Sequence, residues 1–192
     1  MILFLDFDGV LHPDAVFLIG GHPILARGGQ TFMWAQPLID LLVPFPEISI
    51  VLSTPWVRHL GFPRAKAALP ERLRTRVIGS TWHSVMGPNS RSMNSDNEDW
   101  YDKVTRYEHI ARFITHADLY GEDWIVIDHS EDGWPKEQRY RLVKTDRKKG
   151  LSCPELFEGL KTRLAEIYLG HADPNIGGKA RVLLQLEANI EV

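Results

Sequence analysis

The chain has 192 residues and a formal net charge of −3, with 44% hydrophobic and 24% charged residues. This balance is typical of a globular protein that can bury a core, and it excludes a strongly basic nucleic-acid binder at the level of the whole chain. A single cysteine, Cys153, excludes an intrachain disulfide and a cysteine-based zinc site. Since the sequence shows no long apolar segment and no basic leader, we expect no membrane span, no signal peptide and a cytoplasmic location.

The first predicted element is a strand over Ile2–Leu5, a run of consecutive apolar residues typical of a strand buried on both faces. Further along, Gly20-Gly21-His22 separates two apolar stretches and predicts a hairpin over residues 15–26. A short helix is predicted over Pro37–Leu42. A second buried strand is predicted over Ile48–Leu52.

The middle of the chain carries weaker signals, which predict a helix over Ala65–Leu69 and a strand over Arg76–Gly79. The loop Met86–Asp99 is rich in Ser, Asn and Asp, and we expect it to be mobile. A better helix is predicted over Tyr107–His116, because Thr105–Glu108 has the sequence of a capping box and apolar residues share one helical face.

The last third begins with a third buried strand over Trp124–Ile127 and a weak strand over Arg141–Lys144. A second capping box, Ser152–Glu155, precedes a long helix that is predicted to stop near Gly170. The apolar face of this helix consists of Leu156, Leu160, Leu164 and Ile167. Residues His171–Val192 do not continue the pattern. We expect them to form an appended segment that packs on the domain or on a second copy, which would make the protein a homodimer.

Alternating strands and helices predict an α/β protein with a central, mostly parallel sheet. In such sheets ligands bind beyond the carboxyl ends of the strands. Asp6, Ser53 and Asp128 directly follow the three buried strands. We therefore expect these three polar side chains to converge on one edge of the sheet.

Asp6 and Asp8 are two carboxylates at i and i+2 just past a strand end, and Gly9 permits a backbone twist that turns both toward one pocket. A turn that happens to hold two aspartates is the structural alternative. A carboxylate can attack phosphorus, and the resulting aspartyl phosphate divides one difficult step into two. Because nucleophile and target are both anionic, a hard cation such as Mg²⁺ is the natural cofactor. The second carboxylate can protonate the leaving oxygen and then activate water.

The string Asp6-Phe7-Asp8-Gly9-Val10 resembles the first motif of the haloacid dehalogenase-like (HAD) phosphohydrolases. Ser53, at the end of an apolar strand, resembles the second motif. Arg106 or Lys103, near a helix start, resembles the third. Asp128, at the end of another apolar strand with acids close behind, resembles the fourth. All four motifs occur in the family's order across residues 1–135.

The resemblance implies a three-layer, Rossmann-like HAD fold over residues 1–170, with a hairpin flap and no large cap domain. It also implies an Mg²⁺-dependent phosphatase. The site residues it implies are Asp6 and Asp8 for catalysis; Ser53, Thr54 and Arg106 or Lys103 for phosphate binding; and Asp6, Asp8, Asp128 and Asp132 for Mg²⁺, with Glu131 as an alternative to Asp132.

A closer resemblance is to the small HAD domains of bacterial Swiss Army Knife RNA-repair proteins. It is carried by four short strings: Leu52-Ser53-Thr54-x-Trp56, Arg76-Val77-Ile78-Gly79, Thr105-Arg106-Tyr107-Glu108 and Asp128…Gly133-Trp134-Pro135. This resemblance implies a substrate at the end of an RNA or DNA strand. The sequence departs from that subfamily at His129, which follows Asp128 where adjacent acids are usual.

A site without a cap stays open and suits a large substrate, with His12, Trp56, His129 and Trp134 as residues of its rim. The basic stretches Arg58–Arg76 and Lys136–Lys149 are either solvated faces or a positive rim for an anionic substrate. Other functions stay open: a phosphatase of small metabolites or phosphoproteins, a non-catalytic module that binds phosphate or RNA ends, or a regulatory protein acting through the C-terminal segment.

Overall fold

The computed structural model of the protein describes residues 1–26, 28–82, 103–120 and 123–171, with side chains to residue 167. The described strands are β1 (Ile2–Leu5), β2 (Val16–Ile19), β3 (His22–Leu25), β4 (Ser49–Leu52), β5 (Val77–Ser80), β6 (Trp124–Asp128) and β7 (Leu142–Lys144). The described helices are α1 (Ala35–Leu41), α2 (Trp56–Leu60), α3 (Phe62–Ala68), α4 (Glu71–Arg74), α5 (Arg106–His116) and α6 (Pro154–His171). Short 3₁₀ segments at Lys136–Arg141 and Gly150–Ser152 flank β7.

A parallel sheet with the strand order β5-β4-β1-β6-β7 forms the centre of the fold, and β2 and β3 form a separate antiparallel hairpin. The predicted α/β class, the parallel sheet and the hairpin are confirmed. Strand β1 is apolar throughout because both of its faces are covered. Leu3 and Leu5 pack into the core on one side of the sheet, and Ile2 and Phe4 pack into the core on the other.

Helices cover both faces and give the expected three layers. One core includes side chains from α1, α2, α3, α4 and α6, among them Leu38, Val57, Ala65, Leu73 and Leu160. The opposite core is built on α5 and holds Ile110, Ile114, Trp124 and Trp134. The predicted face of α6 is confirmed, since Leu160 and Leu164 are fully buried and Leu156 and Ile167 pack against the same core.

Helix α5 begins with the predicted capping box. The Thr105 side chain accepts the Glu108 backbone N–H, and the Thr105 backbone N–H donates to Glu108 Oε2 at 2.6 Å. The hydrogen bonds from the Thr105 backbone and hydroxyl hold the pKa of Glu108 below its usual value. This cap fixes the first turn of α5, where Arg106 is the first helical residue.

The second predicted capping box is not formed. Ser152 lies in a 3₁₀ segment and its hydroxyl donates to the Lys149 carbonyl at 2.6 Å, while α6 begins at Pro154. Helix α6 ends at His171, one residue past the predicted stop near Gly170. The weaker predictions over Ala65–Leu69, Arg76–Gly79 and Arg141–Lys144 correspond to α3, β5 and β7 with shifted ends.

The predicted mobile loop Met86–Asp99 lies outside the described residues, and so does the predicted appended segment from residue 172 onward. Among the helices of the described residues, none combines the length and the apolar character that a membrane crossing requires.

Candidate active site

The carboxyl ends of β1, β4 and β6 bring Asp6, Ser53 and Asp128 together. Leu5 lies opposite Leu52 on one side and Ile127 on the other, so Asp6 and Ser53, which follow β1 and β4, reach the same edge as Asp128, the last residue of β6. Backbone hydrogen bonds extend the pairing past the strand ends, from Asp6 N–H to the Ile127 carbonyl and from Ser53 N–H to the Leu5 carbonyl. All three side chains are fully buried. The predicted convergence of these groups is confirmed.

Arg106 lies across this edge from the first turn of α5. Its Nε is 3.2 Å from Asp128 Oδ2, and its Nη2 is 3.7 Å from Asp6 Oδ2. Its Nη1 donates to the Ser53 carbonyl at 3.3 Å. The guanidinium thus contacts all three strand ends. The alternative, Lys103, is exposed and precedes the cap.

Asp6 and Asp128 differ in their tendency to hold a proton. Burial raises the pKa of Asp6, but the charges of Arg106 and His129 and the Phe7 backbone N–H outweigh burial and hold it below its usual value. Burial and the neighbouring charge of Asp6 raise the pKa of Asp128 to about 7, against the opposing effect of Arg106. Asp6 is therefore the ionised carboxylate of the pair, as a nucleophile must be.

Asp8 is held by side chains from two distant parts of the chain. His12 Nε2 donates to Asp8 Oδ1 at 3.0 Å, and Trp56 Nε1 lies 3.1 Å from both Asp8 oxygens. The Phe32 backbone N–H donates to His12 Nδ1 at 3.2 Å, which fixes the ring proton on Nε2. The ring of Trp56 packs on Phe7 and Phe32. His12 and Trp56 therefore orient this carboxylate.

This arrangement corrects the predicted rim. His12 is fully buried and Trp56 is 5% exposed, because both side chains hydrogen-bond to Asp8 from the protein side. Trp134 is 4% exposed and packs against Tyr107 and Trp124 in the core on the α5 side of the sheet, so it is a packing residue. The two tryptophans were rim candidates in the sequence because aromatic faces near strand ends or in loops can stack on a base. Nothing in the sequence signals the long-range contact between Trp56 and Asp8.

His129 occupies the centre of the carboxylate cluster rather than its edge. Its Nδ1 lies 2.9 Å from the Asp8 carbonyl oxygen, 3.0 Å from Asp6 Oδ2 and 3.6 Å from Asp128 Oδ1. Its Nε2 lies 3.8 Å from Asp14 Oδ2. Burial acts to lower the pKa of His129, but the contact with Asp6 and the negative charges of three carboxylates raise it above its usual value.

Hydrogen bonds connect the loop after β7 to the loop after β1. Thr145 Oγ1 donates to the Gly9 carbonyl at 2.6 Å, and the Asp14 N–H donates to the Arg147 carbonyl. Gly9 has a φ of +66°, and a Cβ there would lie 2.9 Å from His129 Cβ. Only glycine suits this position, because both the backbone angle and the close approach exclude a side chain. The contact brings the exposed residues Arg147–Lys149 next to the site.

The remaining predicted residues lie around this centre. Thr54 is buried, and its Oγ1 accepts the Trp56 N–H at 3.4 Å. Asp132 is exposed and its carboxylate is not part of the cluster, while the exposed Glu131 pairs with Lys144 at 2.6 Å. Asp132 and Glu131 follow Asp128 in the sequence, but the chain turns outward after Ser130, whose N–H donates to Asp128 Oδ1.

The donor set fits a hard divalent cation. In the part of the chain that the structure describes, Asp6, Asp128 and His129 form the group of potential ligands whose atoms lie within 4.8 Å of one another. Asp6 Oδ2, Asp128 Oδ2 and Ser53 Oγ are buried and have no hydrogen-bond partner among the described residues. Arg106 Nε and His129 Nδ1 lie near the two carboxylate oxygens as ion-pair partners, and a cation would further offset the cost of burying two carboxylates side by side. The Asp8 carbonyl oxygen adds a further oxygen at the same place.

A pocket of about 140 Å³ opens beside Asp8, between the hairpin and α2. Its wall is formed by Asp8, Val16, Leu18, Pro55, Trp56, His59 and Leu60. Five of these seven residues are apolar, and Asp8 is the one acidic residue among them. The hairpin therefore forms one wall of the space next to the carboxylates.

Comparison with known proteins gives one result, which agrees with this geometry. The family model of the HAD domain in Swiss Army Knife RNA repair proteins matches residues 2–156, from β1 into α6. No curated protein and no solved structure matches the chain. A HAD domain indicates a hydrolase of the phosphohydrolase type, a family that generally uses Mg²⁺. The chain belongs to the family of HAD domains found in Swiss Army Knife RNA repair proteins.

Proposed function

We propose that this protein is an Mg²⁺-dependent phosphatase that forms an aspartyl phosphate on Asp6 and acts on the phosphorylated ends of nucleic acids. The observation that carries the proposal is the buried, ionised Asp6 beside an oriented Asp8, with Arg106 and Ser53 at the same edge. A buried carboxylate with a low pKa is a nucleophile with no need for a separate base.

The reaction begins when the Asp6 carboxylate attacks phosphorus. Arg106 and the Ser53 hydroxyl, which has no partner among the described residues, supply donors to the phosphoryl oxygens. The N-terminus of α5 adds a positive dipole end. Asp6, Asp128 and the Asp8 carbonyl oxygen would hold Mg²⁺, which neutralises charge on the phosphoryl oxygens when bound.

Asp8 acts first as a general acid and then as a general base. In the first step its carboxyl group protonates the leaving oxygen as the bond between that oxygen and phosphorus breaks. In the second step the Asp8 carboxylate takes a proton from water, whose oxygen attacks the aspartyl phosphate and releases inorganic phosphate and free Asp6. His12 and Trp56 fix the Asp8 oxygens through both steps, so little reorientation is needed.

Several observations support a nucleic-acid end as the substrate. Apolar side chains of β2 and α2 line part of the pocket beside Asp8, where the group that carries the phosphate would lie. The exposed basic residues Arg147, Lys148 and Lys149 stand next to the loop that holds Asp6 and Asp8, where further phosphates of a strand would pass. The family to which the chain belongs is named for RNA repair proteins.

The basic stretches contribute unevenly to this rim. Arg76 donates to the carbonyls of Leu42 and Phe45, and Lys66 donates to the Val77 carbonyl. Arg141 donates to the Trp124 carbonyl and stacks on its ring at 4.4 Å. These side chains stabilise the fold, so the proposal relies on Arg147–Lys149.

The test is turnover of p-nitrophenyl phosphate and of 5′- and 3′-phosphorylated oligonucleotides with Mg²⁺. Asp6→Asn should abolish turnover, because a neutral amide does not attack phosphorus. Asp40→Asn, which changes an exposed carboxylate on α1, is the matched control and should retain it. Circular dichroism checks that both variants fold. Wild-type turnover by Asp6→Asn would exclude Asp6 as the nucleophile.

Asp8→Asn separates the two half-reactions. p-Nitrophenolate leaves without a proton, so this variant should still form the aspartyl phosphate but should hydrolyse it slowly. Mass spectrometry of the variant mixed with p-nitrophenyl phosphate should then find a phosphoryl group on Asp6. A wild-type protein that turns over none of these esters, yet binds phosphorylated ends, would instead be a binding module.

A further inference from the structure

We propose that His129 supplies a nitrogen ligand, Nδ1, to the divalent cation of this site, and that the site therefore binds transition ions such as Mn²⁺ and Co²⁺ more tightly than Mg²⁺. The inference deepens the proposed function and rests on the same site, since it concerns which ion the carboxylates share.

The first argument is the position of the ring. Nδ1 lies 2.9 Å from the Asp8 carbonyl oxygen and 3.0 Å from Asp6 Oδ2. Adjacent ligands of a six-coordinate ion with bonds of roughly 2.1 Å lie about 3 Å apart. Both distances from Nδ1 therefore match the spacing of adjacent ligands in such a shell, and Asp128 Oδ1 lies only slightly further from Nδ1, at 3.6 Å.

The second argument is the group behind the ring. A histidine that ligates a metal through one ring nitrogen almost always presents its other N–H to a carboxylate, a carbonyl or water, which fixes the ring. Asp14 Oδ2 lies 3.8 Å from His129 Nε2, and Arg147 Nε lies 3.6 Å from the same carboxylate oxygen. A carboxylate thus lies near the ring nitrogen that does not face Asp6, close enough to support the ring electrostatically.

The third argument is confinement. The ring side chain is 10% exposed, and its Cβ lies against the backbone of Gly9, so the ring is held where it stands. Asp6 Oδ2 and Asp128 Oδ2 are buried at the same place, where their charges are shared with Arg106 and His129, and an ion placed between them would meet both carboxylates. Imidazole nitrogen suits transition ions, whereas Mg²⁺ favours oxygen ligands alone.

The test uses metal-free protein and four variants. His129→Ala removes the ring, His129→Asp replaces nitrogen with oxygen, Asp14→Asn removes the supporting charge, and His59→Asn is a control at an exposed histidine on the pocket wall. Titration calorimetry gives the affinities for Mg²⁺, Mn²⁺ and Co²⁺. Pulsed electron paramagnetic resonance of the Mn²⁺-loaded proteins detects a directly bound nitrogen through its ¹⁴N coupling.

We expect ¹⁴N coupling in the wild type and in His59→Asn, and none in His129→Ala or His129→Asp. The ratio of Co²⁺ to Mg²⁺ affinity should fall by roughly 10- to 100-fold in both His129 variants, and in the same direction in Asp14→Asn. His129→Asp keeps a polar group at the position and so protects the test against a misfolded alanine variant.

Wild-type protein that binds Mn²⁺ without ¹⁴N coupling overturns the inference, and so does a His129→Ala variant that binds every ion as tightly as the wild type or more tightly. In the second case the ring competes with the ion for the carboxylates. Phosphatase turnover measured on the same samples keeps the two proposals apart: turnover without coupling contradicts only the nitrogen ligand, and coupling without turnover contradicts only the phosphatase.

Discussion

Two buried carboxylates, the guanidinium of Arg106 and the imidazole of His129 share the edge of the sheet, and each affects the proton affinity of its neighbours. Arg106 and His129 hold the pKa of Asp6 below its usual value in spite of its burial, while burial and then the charge of its neighbour Asp6 raise the pKa of Asp128. A like-charged neighbour within a few ångströms separates the pKa values of two carboxyl groups. The same charges prepare the site for a cation that would satisfy both carboxylates.

Asp128→Asn should stabilise the metal-free protein at alkaline pH. The pKa of Asp128 is raised to about 7 in the folded chain and is near 3.9 in an unfolded one. At a pH between these two pKa values, the folded chain keeps a proton on Asp128 that the unfolded chain has released. The contribution of Asp128 to folding stability is therefore present at low pH and is lost as the pH rises through about 7. The amide of the variant does not titrate and leaves no second buried charge beside Asp6.

The measurement is the thermal unfolding midpoint with a chelator present, at pH 5 and pH 8. The variant should melt a few degrees above the wild type at pH 8, with about 1 kcal/mol corresponding to roughly 2–4 °C, and the gain should shrink at pH 5. Asp40→Asn should give a difference that does not depend on pH. Added Mg²⁺ should raise the midpoint of the wild type more than that of the variant. A gain that is equal at both pH values would contradict the prediction.

Arg106→Ala should lower kcat/KM on the order of 10²–10³, the usual effect of removing one donor to a developing negative charge. Lys103→Ala is the matched control and should change kcat/KM only slightly, because Lys103 is exposed and precedes the cap of α5. Arg106→Lys should recover part of the loss, since it restores the charge without the planar fork. If Lys103→Ala were the more damaging change, the assignment of the phosphate-binding cation would move to Lys103.

At the scale of elements, the position of Arg106 depends on how α5 begins. The Thr105 cap fixes the first turn, and Gly133 packs directly against the Thr105 side chain. Gly133 has a φ of +73° and lies in the turn that follows β6. The loop after the strand that ends in Asp128 therefore supports the helix that carries Arg106.

Gly133→Ala should lower both stability and activity. A Cβ at this position would overlap the Thr105 side chain, and the left-handed backbone alone costs an L-residue about 1–2 kcal/mol. Gly28→Ala is the matched control, because its φ of +77° imposes the same backbone cost but no described heavy atom lies within 4 Å of its Cβ. Gly133→Ala should therefore melt at a lower temperature than Gly28→Ala and should also lose kcat/KM. Equal melting temperatures and unchanged turnover would show that the cap tolerates the methyl group.

The elements show which features a sequence pattern predicts and which it does not. The buried strands and the capping box of α5 were predictable, because each depends on residues that are close in the sequence. Strands β1, β4 and β6 are apolar runs, and the cap needs only Thr105 and Glu108. The capping box predicted at Ser152–Glu155 does not form, although it has the same pattern of a hydroxyl residue followed three positions later by Glu. The chain around Ser152 folds into a 3₁₀ turn, and α6 starts two residues later. Local patterns do not report which of two adjacent turns the tertiary packing selects.

Side-chain partners at the site were harder to predict than the strand ends that carry them. The convergence of Asp6, Ser53 and Asp128 follows from the parallel sheet alone. His12 and Trp56 hydrogen-bond to Asp8 in the interior of the protein, and a sequence pattern does not show such contacts. Both aromatic side chains were therefore expected at a substrate rim instead. His129 was expected at the rim for the same reason, and only the tight packing against Gly9 turns its ring into the cluster.

At the scale of the whole molecule, a net charge of −3 opposes tight binding to a phosphate backbone, so charge must act locally. Much of the basic residue content serves the fold, as in the Arg76 and Arg141 contacts with backbone carbonyls. The exposed triplet Arg147–Lys149 differs, because hydrogen bonds from Thr145 and to Asp146 hold its loop beside Gly9. One short basic loop at the site can favour a strand end without making the protein a general nucleic-acid binder.

Replacing Lys148 and Lys149 together by alanine should weaken the binding of a phosphorylated oligonucleotide and should flatten its salt dependence. Each phosphate contact on a single strand contributes a slope of roughly −0.7 to the plot of log affinity against log salt concentration, so losing two contacts should reduce the slope by up to about 1.4. Binding can be measured in the Asp6→Asn background, which holds the substrate without turnover. The control is the double change Arg72→Ala and Arg74→Ala, which removes the same charge from α4, at the opposite edge of the sheet, where β5 begins.

With active wild-type protein, the ratio of kcat/KM for an end-phosphorylated oligonucleotide to that for a mononucleotide should exceed one at low salt and should shrink as salt is added. The Lys148 and Lys149 double variant should lower this ratio at low salt and leave turnover of the mononucleotide nearly unchanged, because the two lysines would contact phosphates beyond the one that reacts. The Arg72 and Arg74 control should keep the wild-type ratio. A wild-type ratio at or below one, both at low salt and after salt is added, would exclude the nucleic-acid substrate. The protein would then be a phosphatase of small molecules or phosphoproteins, because the chemistry of Asp6 and Asp8 does not depend on what carries the phosphate.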